Sequence, residues 1–183
     1  MADLPTFRYH PDPLATGSIQ PSDAQCICCG QARGYTYTGP VYAEGQLDDS
    51  LCPWCIADGS AAEKFDATFA DINSLCFVKL PPEVIEEVTN RTPGFTAWQS
   101  EQWPCCCNDA CAFLGDARRS DLESMGKTAH EVLVAGWKLT EDDFAEVVES
   151  YEPGSSPAVY KFQCLHCHKN HFYADVDRTG EPT

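Results

Sequence analysis

Cysteines grouped in short-spaced pairs are the residues of this chain with the clearest chemical potential. Two Cys-x-x-Cys pairs lie near its start, Cys26 with Cys29 and Cys52 with Cys55. Each such turn presents two thiolates from one tight knuckle and leaves backbone amides free to bond the sulfurs, and a zinc ion takes four such ligands at tetrahedral corners. The two pairs together therefore predict one closed four-thiolate zinc site, a kind that is more often structural than catalytic.

A second zinc ion is predicted from four further cysteines. Cys164 and Cys167 form another Cys-x-x-Cys turn, and Cys107 with Cys111 supplies two more thiolates with three residues between them. Joining these distant pairs closes a loop at a cost of a few kcal/mol, whereas structural zinc contributes on the order of 10 kcal/mol. The alternative donors at this site are Cys105, Cys106, His168 and His171.

Other metal and redox chemistries fit parts of the same motifs less well. Cys164-x-x-Cys167-His168 matches the attachment pattern of c-type haem, which requires export of the chain. A thioredoxin-like dithiol would need a surrounding βαβ pattern, which the sequence lacks. A hydrolytic zinc ion with one open position, in which Cys106 or a histidine replaces a thiolate, is a further alternative. The sequence has neither a His-Glu-x-x-His helix nor the arrangement of a zinc deaminase.

Composition favours metal over disulfides as the reason for so many cysteines. The chain has 183 residues, 12 of them cysteine, with 43% hydrophobic residues and a mean hydropathy of −0.32. It shows no export signal and no apolar run of membrane-spanning length, so we expect a cytoplasmic protein without membrane insertion. In a reducing compartment, repeated short-spaced cysteine pairs indicate metal ligands.

The net charge of −16 and the pI near 4.4 constrain the kind of partner. Such a surface repels phosphate backbones, which makes nonspecific nucleic-acid binding unfavourable, and it attracts a basic partner. The alternative is that the acidity only keeps the protein soluble. The candidate contact residues on predicted helices are Glu83, Glu86, Glu87, Asp142, Asp143, Glu146 and Glu149.

The elements around the first four cysteines are predicted to be strands followed by a helix. Pro11 and Pro13 exclude a helix over residues 4–14, which have the pattern of an edge strand. Residues 35–42 are predicted to form a strand that Gly39-Pro40 interrupts. Ser60 with Glu63 has capping-box spacing, which predicts a helix directly after the second knuckle. Its apolar face would comprise Ala61, Phe65, Phe69 and Ile72.

The remainder is predicted to alternate short helices with a C-terminal hairpin. A helix should follow Pro81-Pro82 and end at Thr92-Pro93, and two more should begin at capping residues Thr128 and Thr140. Asn108 or Asp109 should cap a short helix that carries Cys111 in its first turn. Strands over 158–162 and 171–176 should flank the last knuckle. The aromatic residues assigned to the core here are Phe95, Trp98 and Trp103.

These elements predict an α+β fold in which zinc-ribbon-like hairpins and knuckles pack with several short helices around two structural zinc sites. We expect one domain over residues 1–177 and a disordered tail over residues 178–183. Two Zn²⁺ ions are the expected cofactors.

Several segments together resemble the CbrC family of bacterial proteins, which is linked to tolerance of a DNase colicin. They are Phe7-Arg8-Tyr9-His10-Pro11-Asp12-Pro13, residues 51–62 around Leu51-Cys52-Pro53-Trp54-Cys55, Arg91-Thr92-Pro93-Gly94-Phe95, Cys111-Ala112-Phe113-Leu114-Gly115, and Tyr160-Lys161-Phe162 with Cys164, Leu165 and Cys167. The resemblance covers nearly the whole chain. It implies a role in toxin tolerance and carries no settled biochemical mechanism.

The leading hypothesis is therefore a zinc-stapled cytoplasmic protein without catalytic turnover. Its acidic surface would bind a basic partner such as the nuclease domain of a DNase colicin. One alternative is a zinc-dependent hydrolase or nucleic-acid-processing enzyme, and another is a regulatory adaptor that uses its zinc ribbons as interaction platforms.

Overall fold

The computed structural model of the chain describes residues 3–71, 73, 75, 79–99, 101–125 and 141–175, and of residues 141–144 the backbone alone. These residues form a mixed α+β fold of small antiparallel sheets and short helices. The strands are β1 (Ile19–Pro21), β2 (Tyr35–Tyr37), β3 (Cys105–Cys106), β4 (Asp109–Ala110), β5 (Ala112–Asp116), β6 (Ala158–Gln163) and β7 (Asn170–Asp175). The helices are α1 (Pro53–Ala57), α2 (Ser60–Phe65), α3 (Pro82–Arg91), α4 (Arg119–Met125) and α5 (Glu141–Ser150).

The N-terminal segment is extended, but the predicted edge strand over residues 4–14 is wrong. Phe7 and Tyr9 are buried, as the alternating pattern required, but the bond from the Phe113 N–H to the Tyr9 carbonyl at 2.8 Å is isolated, and the carbonyls of residues 12–14 accept from the turn that follows. Prolines at 11 and 13 lack the donors that a strand ladder needs. The first strand begins only at β1, which pairs with β2.

The second knuckle leads directly into helices, as predicted, but the capping differs. Cys52 precedes Pro53, which occupies the first turn of α1. Asp58 rather than Ser60 is the capping acceptor, because its Oδ1 accepts from the Ser60 amide at 2.9 Å and from the Ser60 hydroxyl at 2.6 Å. Asp66, with φ of 48°, ends α2 immediately after Phe65. Phe69 therefore lies outside the helix, and Ile72 lies outside the described residues.

Helix α3 follows the prediction closely. It starts after Pro81 with Pro82 in its first turn and ends at Arg91, before the extended Thr92. Immediately afterwards the chain crosses Phe69, and a Cβ at Gly94 would lie 1.9 Å from the Phe69 carbonyl oxygen. Only glycine permits this close crossing, which joins the middle of the chain to its first half.

The predicted short helix around Cys111 is wrong, since a β-hairpin occupies this position. β3 pairs with β4 through a two-residue turn in which Cys107 and Asn108 have φ of 54° and 59°. A hairpin turn with both central residues at positive φ favours asparagine, so Asn108 serves as a turn residue and not as a helix cap. Cys111 follows the hairpin and is fully buried.

The C-terminal half contains a three-stranded antiparallel sheet in the order β5-β6-β7. Its β6 and β7 strands confirm the predicted hairpin around the last knuckle. Helix α5 confirms a helix after position 140, whereas residue Thr140 and the helix predicted from Thr128 lie outside the described residues, as does the tail over 178–183. None of the helices in the described part of the chain is long and apolar enough to cross a bilayer.

Two large hydrophobic clusters each adjoin one group of cysteines. The first cluster contains Cys26, Cys52 and Cys55 with Tyr37, Ile56 and Phe69, and the second contains Cys164 with an aromatic group. In that group the rings of Phe95 and Phe113 stack with centroids 4.2 Å apart. Trp103 is buried as predicted, but Trp98 is 49% exposed.

Glu101 is a carboxyl buried at the edge of this core. It is 3% exposed, its Oε2 accepts from the Asp71 amide at 3.2 Å, and its Oε1 has no hydrogen-bond partner among the described residues. Burial raises the pKa of Glu101 to about 8, and hydrogen bonds from Asp71 and Tyr42 offset this only in part. Between about pH 4.5 and pH 8, the Glu101 carboxyl is therefore protonated in the folded protein and ionised in the unfolded chain.

This linkage predicts that Glu101→Gln stabilises the protein at alkaline pH. Because the folded state binds the extra proton between about pH 4.5 and 8, the contribution of Glu101 to stability falls as pH rises through this window. Relative to wild type, the variant should gain about 1–3 kcal/mol in free energy of unfolding between pH 5 and pH 8. Urea denaturation at both pH values measures this. The same pH dependence of stability in wild type and Glu101→Gln would contradict this prediction. So would an equal gain in Glu123→Gln, which replaces an exposed glutamate.

Candidate metal centres

The first group of sulfurs comes from the two N-terminal knuckles. The Sγ atoms of Cys26, Cys29, Cys52 and Cys55 all lie within 4.8 Å of one another. The recorded contacts are 3.8 Å from Cys26 to Cys55, 3.9 Å from Cys29 to Cys52 and 3.6 Å from Cys52 to Cys55. Four sulfurs placed tetrahedrally at about 2.3 Å from zinc would be roughly 3.8 Å apart. The separations thus fit zinc, and they are far longer than the roughly 2.05 Å of a disulfide.

Hydrogen bonds from neighbouring residues help to position the two knuckles. The Cys52 amide donates to the Cys26 sulfur at 3.2 Å, which links the two knuckles. Lys64 of α2 reaches back over the first knuckle and donates to the carbonyls of Ile27 and Cys28 at 3.0 and 2.7 Å. Three of the four cysteines are buried, with Cys29 nearer the surface.

One thiol of this group is already acidic. Burial opposes ionisation of Cys26, but amide donors from Cys29, Cys52 and Cys28 outweigh it and lower its pKa to about 7. Burial raises the pKa of Cys52 to about 11. A metal ion binds thiolates, so its binding would remove the protons from the remaining thiols of this crowded group.

The second group combines the β3–β4 turn with the C-terminal knuckle. The Sγ atoms of Cys106, Cys107, Cys164 and Cys167 lie within 4.8 Å of one another. Cys106 is 3.8 Å from Cys107 and 3.7 Å from Cys167, again close to the edge of a tetrahedron around zinc. Amides of His166 and Cys167 each donate to the Cys164 sulfur at 3.5 Å, and they lower the pKa of Cys164 to about 6.

This second group differs from the predicted set at one position. Cys111 was the expected partner of Cys107, but its sulfur lies in the apolar core, where burial raises the pKa of Cys111 to about 12. Cys106, one of the alternatives left open by the sequence, lies in the group instead. The hairpin turn is the reason, because it presents Cys106 and Cys107 side by side and directs the chain at Cys111 inward.

Neither histidine alternative lies in the four-sulfur groups of the described residues. His168 has φ of 58° in the turn after the knuckle, and His171 pairs with Phe162 in the β6–β7 ladder. The donor set of each group is therefore four sulfurs, which is compatible with a bound Zn²⁺ ion. Cys28 and Cys105 stay outside both groups.

A buried carboxylate beside the second group was missed by sequence reasoning. Asp109 is 4% exposed and accepts from Arg8 at 2.6 Å, from the Tyr9 hydroxyl at 2.6 Å and from His166 Nε2 at 2.8 Å. Burial opposes ionisation of Asp109, but these donors outweigh it and lower its pKa. Asp109 of β4 thus links the N-terminal segment to the β3–β4 hairpin and, through His166, to the C-terminal knuckle. No local sequence signal indicates such contacts.

Replacing this carboxylate should destabilise the protein without removing a sulfur. Asp109→Asn keeps the shape but loses the charge that Arg8 and Tyr9 contact, and a hydrogen bond to a charged group contributes about 1.5–3 kcal/mol. We expect a loss of about 2–3 kcal/mol in free energy of unfolding with the zinc content unchanged. Urea denaturation and elemental analysis measure the two quantities. An unchanged unfolding midpoint, or loss of one zinc ion at neutral pH, would contradict this role.

Comparison with known proteins places the chain in a family. Residues 4–176 match a family described as an uncharacterised protein family, UPF0167. A UPF0167 protein of Pseudomonas aeruginosa is 48% identical over 177 residues, which cover 96% of this chain and 98% of the relative. A UPF0167 protein of Mycobacterium bovis is 45% identical over 174 residues, which cover 94% of this chain and 93% of the relative. No solved structure matches the chain. The chain belongs to the UPF0167 family.

Proposed function

We propose that this member of the UPF0167 family is a zinc protein that acts by binding a basic protein partner and not by catalytic turnover. The observation that carries the zinc part is the assembly of eight cysteines into two four-sulfur groups of tetrahedral dimensions. Zinc with four protein thiolates has no free coordination position for a substrate or an activated water molecule. The two ions therefore serve the fold, one in each half.

An acidic cleft between α2 and α3 supports the partner part of the proposal. It has a volume of about 360 Å³, and its charged lining consists of Asp58, Glu63, Asp66, Glu86 and Arg91. Four carboxylates around one guanidinium leave this cleft strongly negative. Glu83, also exposed on α3, extends the negative surface along the helix. Basic side chains of a partner would be attracted here, and the net charge of −16 would speed the encounter.

The resemblance to the colicin-tolerance family suggests the class of partner. The nuclease domain of a DNase colicin must bind a phosphate backbone, which requires a basic surface. We propose that the cleft between α2 and α3 covers part of that surface. Helix α5 contributes Glu146 and Glu149 as exposed acids at a separate place on the chain, which makes them suitable for a matched control.

A titration tests direct capture. The zinc-loaded protein is titrated with a purified DNase colicin nuclease domain at low and at high salt, alongside the double variants Glu63→Gln/Glu86→Gln and Glu146→Gln/Glu149→Gln. We expect binding at low salt that salt weakens, and a roughly tenfold or greater loss of affinity in the first variant alone. Absence of binding at low salt would refute direct capture. An equal loss in both variants would refute the assignment to this cleft.

A zinc-dependent hydrolase is the second candidate, and the contact between Asp109 and His166 is the observation that favours it. A histidine held by a carboxylate at 2.8 Å next to a metal group is an arrangement that can transfer protons. The optical spectrum of the cobalt-substituted protein distinguishes the two candidates. Tetrahedral four-thiolate cobalt in both sites supports a structural role. A five-coordinate cobalt ion in the second site supports the hydrolase.

A further inference from the structure

A second and larger cleft lies away from both groups of sulfurs. It has a volume of about 580 Å³, within the range of roughly 300–1,000 Å³ that is usual for small-molecule sites. Five parts of the chain form it, namely the loop over 11–18, residues 95–96, the β5 strand with its extension to Arg118, the loop at Pro153, and Tyr160 of β6. Residues from distant parts of the sequence thus enclose one volume.

The wall formed by the loop over 11–18 is held rigidly. His10 is fully buried, its Nδ1 lies 2.7 Å from the Pro93 carbonyl, and its Nε2 lies 2.6 Å from the Thr16 hydroxyl. The His10 ring also packs edge-on against Phe113, with ring centroids 4.9 Å apart. Gly115, with φ of 95°, allows the loop to approach β5, because a Cβ there would lie 3.2 Å from the Thr16 methyl group. The cleft is therefore preformed.

The bottom and one side of this cleft are apolar. Phe113 and Tyr160 contribute to the floor, and the Tyr160 hydroxyl is already engaged with the Thr96 carbonyl at 3.2 Å. Leu114 is 42% exposed and lies on the lining. An exposed leucine above buried rings offers a surface for a short hydrocarbon stem, since covering it removes apolar area from water.

The charged groups that line the cleft are two exposed carboxylates, Asp12 and Asp116, and the exposed guanidinium of Arg118. Asp12 and Asp116 line the cleft, and no ion pair among the described residues involves either one. Partial burial raises the pKa of Asp116. Arg118 also lies on the rim; its amide donates to Asp121 Oδ2 at 2.9 Å, and its guanidinium forms no ion pair among the described residues.

We propose that this cleft binds a small organic cation, in which a primary amine or guanidinium group pairs with Asp116 and Asp12 while its alkyl stem covers Leu114 and the aromatic floor. Two carboxylates and one guanidinium leave the lining with a net negative charge that a cation offsets, and a stem of a few carbons fills the apolar part of the volume. The proposal is independent of partner capture, since α2 and α3 do not line this cleft.

Four probes, each with a chain of four carbons, separate charge from hydrophobic contact. Agmatine and n-butylamine carry cations on an alkyl stem, 1-butanol is neutral, and butyrate carries the opposite charge. Each is titrated into the zinc-loaded protein by calorimetry and by NMR, with Asp116→Asn as the test variant and Glu123→Gln, an exposed acid on α4, as the control. Urea unfolding midpoints verify that both variants stay folded, and Asp12→Asn provides a second test of the rim.

The expected result is binding of agmatine and n-butylamine and not of the other two probes. Asp116→Asn should weaken agmatine binding about tenfold or more, whereas Glu123→Gln should leave it unchanged. Failure of both cations to bind would overturn the proposal. Equal binding of 1-butanol, or full agmatine affinity in both Asp116→Asn and Asp12→Asn, would overturn it as well.

Discussion

Cys52→Ser is expected to unfold the N-terminal half of the protein at neutral pH and to remove one of two zinc ions. Cys52 carries several roles at once: its sulfur lies in the first group, its amide bonds the Cys26 sulfur, and α1 begins directly after it. Structural zinc contributes on the order of 10 kcal/mol, comparable to the whole stability of a domain at roughly 5–15 kcal/mol. The loss of this ion therefore exceeds what the surrounding packing can offset.

Cys28→Ser is the matched control for this substitution. Cys28 lies in the same knuckle, but its sulfur is outside the group and contacts the Ser60 hydroxyl at 3.6 Å. The Cys28→Ser variant should retain two zinc ions and an unfolding midpoint close to that of the wild type. Zinc per chain by elemental analysis and helix content by circular dichroism measure both variants. Two zinc ions and a wild-type spectrum in Cys52→Ser would refute the first site.

Cys106→Ser is expected to remove the other zinc ion, whereas Cys111→Ser should retain both. The Cys106 sulfur lies 3.7 Å from that of Cys167, while Cys111 is buried in the aromatic core. With its zinc ion absent, the β3–β4 turn and the β6–β7 hairpin lose their metal link, so we expect a loss of several kcal/mol in free energy of unfolding.

The comparison between these two variants also controls for stability. Placing a hydroxyl at position 111 in an apolar core should cost about 1–3 kcal/mol, so Cys111→Ser can be less stable than wild type and still bind two zinc ions. Zinc content and not stability is the deciding measurement. One zinc ion in Cys111→Ser and two in Cys106→Ser would restore the ligand set predicted from spacing and contradict the structure.

The clustering of the first four sulfurs could be predicted from sequence because each of the two knuckles is a local turn. Cys26 and Cys29, or Cys52 and Cys55, bring two sulfurs together whatever the rest of the chain does. The second group could not be predicted fully, because four nearby cysteines were available and their choice depends on a turn with positive φ at Cys107 and Asn108. The spacing of the cysteines in the sequence does not show which of their side chains a hairpin turn directs toward the metal group.

Contacts between distant residues were the other limit on prediction. Proline positions, cysteine knuckles and alternating apolar residues predicted α3 and the β6–β7 hairpin, since their signals are local. The burial of Asp109, the crossing at Gly94 and the cleft beside Asp116 each arise where separate parts of the chain meet. No local pattern in a single sequence indicates such contacts between distant residues.

X-ray absorption at the zinc edge, combined with the zinc count, tests the central claim most directly. The proposed function predicts two zinc ions per chain, each with four sulfur neighbours at about 2.3 Å and no nitrogen or oxygen donor. Fewer than two ions in folded protein, a nitrogen or oxygen donor at either ion, or sulfurs bonded to each other at about 2.05 Å would contradict it.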